Sequence, residues 1–253
     1  REELKAGGHT FQSDSDTEVL LACWAQWGTD CLKNLIGMFA FAVYDSCDKT
    51  LTLVRDAFGI KPLFYAISNE SNNFIFSSEM PAMLSILSDS AQINAQRAYD
   101  YLIYQVQDRG FDTFIDGVNH VPPAHWLQIN LGNSFNVVTE RWWNPTINQA
   151  STLSFKDAAS HLRELFLDSV KLHLRSDVPL GVALSGGLDS SAITCAIRYL
   201  EPEIELHTFS YVAARSSFSE ESWVDIVNKY INAIPHKIMV KPGDLERDIK
   251  SLI

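Results

Sequence analysis

The stretch from Gly181 to Leu200, GVALSGGLDSSAITCAIRYL, constrains the fold of this chain more than any other. The apolar run GVALS predicts a buried strand, and SSAITCAIRYL predicts a helix that starts directly after a short polar loop. The alternation continues, because LHTFSY and HKIMV read as strands on either side of the helical pattern SEESWVDIVNKYI. Strands that alternate with helices predict a parallel sheet with helical crossovers, which is an α/β fold.

The loop SGGLDSS between this strand and helix has the composition of an anion-binding site. In a parallel sheet, ligands bind at the carboxyl ends of the strands, where this loop lies. Gly186 and Gly187 let the backbone turn sharply and approach an anion without a Cβ in the way. The first N–H groups of a helix carry partial positive charge and suit a phosphate. The hydroxyls of Ser185, Ser190 and Ser191 can donate further hydrogen bonds.

Asp189 is the odd member of the loop, because a carboxylate beside a phosphate would repel it. It makes sense if it holds Mg²⁺, a hard cation that bridges phosphates and takes oxygen ligands. The loop is not a Walker A loop, since it does not match GxxxxGK[ST] and contains no lysine. The alternative is a purely structural role, in which the loop is a glycine-containing turn capped by a serine. Two glycines alone would favour that alternative, but the complete string between a strand and a helix disfavours it.

The string LSGGLDSS resembles the pyrophosphate loop of the PP-loop ATP pyrophosphatases, which cleave ATP between the α and β phosphates. The resemblance implies that the loop binds the β,γ-pyrophosphate while a substrate carboxylate attacks the α-phosphorus and forms an acyl-adenylate. It implies ATP and Mg²⁺ as ligands, with Asp189 as the metal ligand. Leu184 and Tyr211 would line the adenine, although both could be ordinary strand residues. The implied nucleotide site consists of Leu184, Ser185, Gly186, Gly187, Leu188, Asp189, Ser190, Ser191 and Tyr211.

The first half of the chain has a different pattern. MFAFAVYD, TLTLVRD, LFYAIS and NFIFSS predict short strands between turn formers, which favours an antiparallel sheet of hairpins. SDSDTEVLLACWAQWG predicts a helix that begins at polar N-cap candidates and ends at Gly28. SSEMPAMLSIL and NAQRAYDYLIYQV predict two more helices, and VPPAHWLQI and NVVTERWW predict two more extended segments.

Residues 15–84 resemble successive blocks of the class II glutamine amidotransferase domain, namely SDTEVLL, GMFAFAVYD, RDAFGIKPLFY and FSSEMPAML. DTFIDGVNHVPPAHWLQI, RWWNP and FSEESW resemble segments of glutamine-hydrolysing asparagine synthetases, so that the resemblance covers roughly residues 10–240. It implies that Asp16 binds the α-ammonium of glutamine, since a carboxylate pairs with a cation. Taken alone, Asp16 would read as a helix N-cap.

Two parts of the family's pattern are expected to lie outside this sequence. The amidotransferase nucleophile is a cysteine at the extreme N-terminus of the mature protein, and an Asn-Gly oxyanion pair follows it. Cys23, Cys31 and Cys47 do not stand at a chain start, so no catalytic residue is predicted in this chain. The family's acidic SGEGSDE-type phosphate loop is missing as well. The sequence is therefore expected to be an internal fragment of a longer enzyme, or a truncated gene product, that does not hydrolyse glutamine by the family's mechanism.

The predicted fold is an α+β amidotransferase-like domain with antiparallel sheets, followed by an α/β PP-loop domain with a parallel sheet, both partial. The first is expected to span residues 1–143 together with the connecting region, and the second residues 155–253. The polar stretch 144–154, NPTINQASTLS, is the predicted linker. Ser154 and Asp157 suit a capping box at the first helix of the second domain. The predicted apolar face of that helix consists of Leu162, Leu165, Phe166 and Val170.

The composition limits the partners. The net charge of −11 argues against nucleic-acid binding, which needs clustered Lys and Arg. No apolar run approaches the roughly 20 residues of a membrane helix, and the N-terminal REELKAGG resembles the end of a helix rather than a signal peptide. Four cysteines without CxxC spacing predict free thiols in a reducing cytosol, so the expected location is the cytoplasm. The resemblance implies ATP, aspartate and glutamine as small-molecule partners and leaves a homodimer open.

The function implied by the resemblance is the ATP-dependent amidation of aspartate through an aspartyl-adenylate, with ammonia from glutamine. Two alternatives stay open at this point. One is a related amide-bond former, such as a β-lactam synthetase-like cyclase or an amidating enzyme of a natural-product or polysaccharide pathway. The other is a non-catalytic nucleotide-binding relic, although the intact SGGLDSS argues against decay of the site.

Overall fold

The computed structural model describes residues 1–68, 73–87, 91–107, 110–131, 136–147, 152–212 and 219–239, together with 243, 244 and 247. The chain divides into two compact units, residues 1–148 and 149–253. The domain and linker boundaries expected from the sequence stay predictions, and residues 148–151 of the expected linker lie outside the described residues.

The first unit begins with two helices, α1 (Glu2–Ala6) and α2 (Asp16–Trp27), and a 3₁₀ helix (Gly28–Asn34). Its other elements, in chain order, are β1 (Ala40–Asp45), β2 (Thr50–Arg55), β3 (Phe64–Ser68), β4 (Asn73–Ser77), α3 (Met80–Leu87), α4 (Ala95–Tyr104), β5 (Val118–His120), β6 (His125–Asn130) and β7 (Val137–Arg141). The second unit contains α5 (Phe155–His173), β8 (Gly181–Ala183), α6 (Leu188–Leu200), β9 (His207–Tyr211), α7 (Glu221–Ile231) and β10 (Ile234–Ile238).

The strands of the first unit form two antiparallel sheets, with the orders β1-β2-β6-β7 and β4-β3-β5. The hairpins β1–β2 and β3–β4 pair neighbouring segments of the chain, as the alternating patterns predict. One core cluster lies on the four-stranded sheet, around Leu53, Leu127 and Ile129. The short strand β5 and the 3₁₀ helix carry no pattern of their own and are not predicted, because both depend on tertiary partners.

A second cluster packs α2 and the 3₁₀ helix against the sheet through Cys23, Cys31, Leu32 and Val54. Helix α2 ends at Gly28, whose φ of 55° is a left-handed conformation that glycine adopts without strain. Burial raises the pKa of the Cys31 thiol to about 11, so this cysteine behaves as a small apolar side chain.

The turn after β2 is held by two charged side chains that bind backbone groups. Arg55 donates to the carbonyls of Lys61, Val121 and Gly59 at 2.8 to 2.9 Å. The buried carboxylate of Asp56 accepts from backbone N–H groups of the same turn, among them that of Lys61 at 2.9 Å. Through these contacts Arg55 and Asp56 hold the turn in place, which is a structural role.

Helix α4 has an unusual distribution of polar groups. Its buried face carries Arg97 and Asp100, which form an ion pair, and Gln96 donates to the same carboxylate at 2.8 Å. Large apolar and aromatic side chains lie on its exposed face, including Leu102 and Ile103. The amide N–H of Arg97 is capped by the side chain of Asn94 at 3.1 Å.

The second unit contains a parallel sheet with the order β10-β9-β8. β8 pairs with β9 from Gly181 opposite His207, and β9 pairs with β10 from His207 opposite Ile234. The core lies where α5, α6 and α7 meet the sheet, and it includes Val170, Ile197, Leu206 and Ile231. The predicted fold class, antiparallel sheets followed by a parallel sheet, is therefore confirmed.

Two details of the second unit differ from the sequence predictions. The face predicted for α5 is partly wrong, because Leu162 and Leu165 are 68% and 58% exposed while Val170 is buried. Phe166 and Val170 do pack in the core, as predicted, and Leu167 and Leu174 join them, because α6 and the sheet lie beside the C-terminal half of α5. β10 begins two residues before the predicted HKIMV and includes Pro235, which an edge strand tolerates.

No helix among the described residues is long and apolar enough to cross a lipid bilayer. The four cysteines are free thiols, as the sequence predicts.

Candidate functional site

The loop SGGLDSS connects the end of β8 to the first turn of α6. Leu184 follows β8, and its backbone N–H donates to the carbonyl of Phe209 on β9 at 2.8 Å. Helix α6 begins at Leu188, and its N-cap residue is Gly187, which has no side chain to cap the helix. The first peptide N–H groups of α6 are therefore presented at the carboxyl end of a parallel strand, where ligands of such sheets bind.

Gly186 is the residue whose backbone demands glycine. Its φ is 90°, a conformation that L side chains rarely adopt. A Cβ at this position would lie 3.0 Å from the carbonyl oxygen of Glu220 and 3.2 Å from the Cβ atoms of Glu220 and Trp223, at the start of α7. Gly187 has an ordinary φ of −70°, but a Cβ there would lie 3.3 Å from Ser185 Oγ, so the small size of glycine matters more here than its conformational freedom.

The hydroxyls of the loop bind one another. Ser185 Oγ and Ser190 Oγ are 3.0 Å apart, and the N–H of Ser185 donates to Ser190 Oγ at 3.3 Å. The N–H of Gly187 donates to Ser185 Oγ at 3.2 Å. These bonds close the loop into a compact ring in which two backbone N–H groups and two hydroxyls bind within the loop itself. Because most of them are near the long end of the hydrogen-bond range, exchanging them for bonds to a phosphate would cost little.

Asp189 lies in the first turn of α6, exposed, beside Ser190 and the two glycines. Within the described ranges, no three His, Cys, Asp or Glu side chains are grouped as a metal-binding cage. That arrangement still fits Mg²⁺, which is usually bound through one or two carboxylates, several waters and the phosphates of a substrate. Asp189 is the residue in the loop whose oxygens could serve as such a ligand.

The two residues predicted to line the adenine differ in exposure. The side chain of Leu184 is buried, with 1% of its surface exposed, whereas Tyr211 at the end of β9 is 66% exposed. The loop lies at the same end of the sheet as Leu184 and Tyr211, because β8 and β9 are paired in parallel. Tyr211 is thus the one of the two that presents its side chain to the surface.

Asp16 belongs to the first unit, where it is the first residue of α2. Its neighbour Ser15 is the N-cap and accepts from the N–H of Thr17 at 3.2 Å. The helix is therefore capped by Ser15, and the carboxylate of Asp16 stays exposed at the positive end of the helix.

Glu18 organises the segment in front of Asp16, and the sequence reading overlooked it. Its carboxylate accepts from the backbone N–H groups of Gln12 and Ser13 at 2.8 and 2.9 Å, and from Ser13 Oγ at 2.7 Å. The bond from the Gln12 N–H is the main cause that lowers the pKa of Glu18. A signal for this residue existed, since a glutamate three residues after a serine N-cap is typical of a capping box.

Two family models match the chain. Residues 1–143 match the family described as glutamine amidotransferase domain, and residues 161–253 match the family described as asparagine synthase. Together these matches extend over both units.

Named relatives align with nearly the whole chain. Asparagine synthetase [glutamine-hydrolyzing] 3 of Bacillus subtilis is 34% identical over 258 residues, which cover 97% of this chain and 41% of the relative. Asparagine synthetase [glutamine-hydrolyzing] 1 of the same organism is 33% identical, with 92% and 35% covered. The asparagine synthetase [glutamine-hydrolyzing] of Zea mays is 35% identical, with 82% and 31% covered. The chain thus spans less than half the length of these relatives.

Proposed function

Because this chain belongs to the glutamine-hydrolysing asparagine synthetase family, we propose that it is part of an enzyme that amidates aspartate with ATP and glutamine. The β-carboxylate of aspartate attacks the α-phosphorus of ATP, and the bond to the β,γ-pyrophosphate breaks. The lone pair of ammonia then attacks the acyl carbon of the aspartyl-adenylate, the nitrogen loses a proton, and AMP departs. Hydrolysis of glutamine to glutamate supplies the ammonia.

The loop of the second unit binds the part of ATP that leaves. In this proposal Ser185 and Ser190 exchange the bond between their hydroxyls for bonds to the β and γ phosphates, and Ser191 adds its own hydroxyl. The first N–H groups of α6 bind the same oxygens. Donors that are already in place stabilise the negative charge that develops on the pyrophosphate. Asp189 would hold Mg²⁺, whose charge offsets that of the phosphates when it is bound.

The first unit takes glutamine. Asp16 pairs its exposed carboxylate with the α-ammonium of the amino acid, at the start of α2. We assign no residue of this chain as the nucleophile that cleaves the amide. The first unit therefore binds glutamine in this proposal, and no catalytic step is assigned to it.

We place the enzyme in the cytoplasm, with ATP, aspartate and glutamine as small-molecule partners and without nucleic acid. The free cysteines and the acidic charge of −11 support this assignment. The named relatives are glutamine-hydrolyzing asparagine synthetases, which supports glutamine as a partner.

The observation that carries the proposal is the complete SGGLDSS loop between a parallel strand and an uncapped helix N-terminus. The test is the double variant Ser185→Ala with Asp189→Ala in the full-length protein that contains this chain. We expect the aspartate-dependent production of AMP and pyrophosphate to fall by about a hundredfold or more, since even one lost transition-state donor costs about that much.

The matched control is Ser160→Ala with Asp168→Ala, which changes the same residue types on exposed positions of α5. It should leave turnover unchanged. Turnover that survives in the loop variant would refute the role of the loop, and turnover with other acids but not with aspartate would refute the substrate.

A further inference from the structure

Ser210 on β9 lies outside the loop but is bonded to its root. The residue is buried, with 3% of its surface exposed, and its hydroxyl donates to the backbone carbonyl of Leu184 at 2.7 Å. Leu184 directly precedes the loop, and its N–H is bound by the carbonyl of Phe209 on the same strand. β9 therefore holds both backbone groups of the residue from which the loop departs.

The carbonyl of Leu184 and the N–H of Ser185 belong to one peptide group. Because a peptide bond is planar, whatever fixes the direction of the carbonyl also fixes the direction of the N–H at the other side of the plane. That N–H points to Ser190 Oγ at 3.3 Å, inside the loop. A single rigid plane thus connects the hydroxyl of Ser210 to the hydroxyls of Ser185 and Ser190.

A hydroxyl at this place is not explained by the strand itself. Buried strands of parallel sheets consist mainly of apolar, branched residues. β9 instead places two buried hydroxyls on one face, at Thr208 and Ser210. Thr208 donates to the side chain of Asn228 on α7 at 2.6 Å, so it joins the strand to a helix, while Ser210 binds the root of the loop.

We propose that Ser210 is a positioning residue for the phosphate loop, and this inference rests on the proposed function. Its hydroxyl sets the orientation of the Leu184–Ser185 peptide and thereby the direction in which Ser185 and Ser190 present their donors to ATP. Ser210 does not touch the nucleotide in this scheme. It acts through Leu184.

The test compares Ser210→Ala, Ser210→Thr and Thr208→Val in the full-length protein that contains this chain. Thr208→Val is the matched control, because it removes a buried hydroxyl of similar exposure from the same strand face without touching Leu184. We measure the melting temperature and the KM values for Mg-ATP and for aspartate in pyrophosphate release.

We expect Ser210→Ala to raise the KM for Mg-ATP by about three- to tenfold, the range of one hydrogen bond, with the KM for aspartate nearly unchanged. Thr208→Val should lower the melting temperature about as much as Ser210→Ala does, and it should leave the KM for Mg-ATP unchanged. Ser210→Thr retains the hydroxyl and should restore the wild-type KM. If Ser210→Ala does not fold, Ser210→Cys takes its place, since a thiol is a weak donor of nearly the same shape.

Equal KM values for Mg-ATP in the Ser210→Ala and Thr208→Val proteins would overturn the inference, and so would a failure of Ser210→Thr to restore binding. In both cases an active wild-type protein would leave the proposed function standing. A wild-type protein that neither binds Mg-ATP nor releases pyrophosphate would overturn the proposed function and this inference together.

Discussion

Asp16 and Glu18 are both carboxylates in the first turn of α2, yet their surroundings give them different tasks. Glu18 is occupied by the backbone N–H groups of Gln12 and Ser13 and by the Ser13 hydroxyl. Asp16 is exposed and leaves the capping of the helix to Ser15. A charged ligand such as an ammonium group can therefore compete for Asp16 without disturbing the segment in front of the helix.

We predict that Asp16→Asn raises the KM for glutamine by about tenfold or more in the full-length protein, because a charged hydrogen bond is lost. Activity with free ammonium salts should not change, since ammonia then bypasses the glutamine site. Steady-state assays with the two nitrogen donors measure this difference. Asp14→Asn is the control, because Asp14 lies two residues away, fully exposed, and pairs with Arg1 at 3.3 Å. An equal loss with both nitrogen donors would contradict the role of Asp16.

At the scale of helices and strands, Arg198 ties the ends of several elements together. Its guanidinium donates to the carbonyls of Pro202 and Ile204, after α6, and to those of Ile231 and Asn232, at the end of α7. Carbonyls at a helix end, such as those of Ile231 and Asn232, have no partner within the helix. The other two carbonyls lie in the connection from α6 to β9, so the guanidinium replaces water at four carbonyls.

We predict that Arg198→Met lowers the free energy of unfolding of the second unit by roughly 2 to 4 kcal/mol, because carbonyls that lose a charged donor are left partly desolvated. Urea denaturation measures the loss in the free energy of unfolding, and hydrogen exchange of the α7 amides shows that the loss lies in the second unit. Arg163→Met serves as the control, since Arg163 is exposed and lies over the ring of Tyr199 in a cation–π contact at 5.1 Å. That substitution should cost less than about 1 kcal/mol. Equal losses for the two variants would show that the bonds of Arg198 add nothing.

The type of most elements could be predicted from the sequence, because strands and helices leave different apolar periods. The predictions failed where a partner far along the chain decides the outcome. Leu162 and Leu165 have helical spacing, but α6 covers a different part of α5. α4 buries Arg97 and Asp100 because the two charges satisfy each other, which no amphipathic pattern reveals.

The same distinction applies to the candidate site. The loop residues Ser185 to Ser191 are contiguous, so that their motif can be read directly from the chain. Ser210 lies 26 positions from its partner Leu184 and becomes visible only when β8 and β9 are side by side. A capping role for Glu18 could be predicted from its spacing to Ser15, but its bonds could not. They go to Gln12 and Ser13 instead of the N-cap residue that a capping box would use.

At the scale of the whole molecule, each of the two units has its own hydrophobic core. The proposed ligands are divided between them, with glutamine at α2 and ATP at the loop before α6. A ligand that binds only the folded form stabilises the unit that holds its site.

We predict that Mg-ATP at about 100 times its Kd increases protection of the β8, α6 and β9 amides from hydrogen exchange, by up to roughly 2.7 kcal/mol, in the full-length protein. The amides of β1, β2 and β6 should exchange at the same rate with and without the nucleotide. Removing Mg²⁺ with a chelator should reduce the protection around Asp189, because the phosphates lose their bridging cation. Equal protection of both units would contradict the division of the ligands.

The uncapped first turn of α6 has a consequence for how an anion would be held. Its attraction comes from peptide dipoles, and Gly187 supplies no ionisable group that could gain or lose a proton. The binding energy that these dipoles contribute should therefore change little with pH across the neutral range. It should weaken as the salt concentration rises, since mobile ions screen a partial charge as readily as a full one.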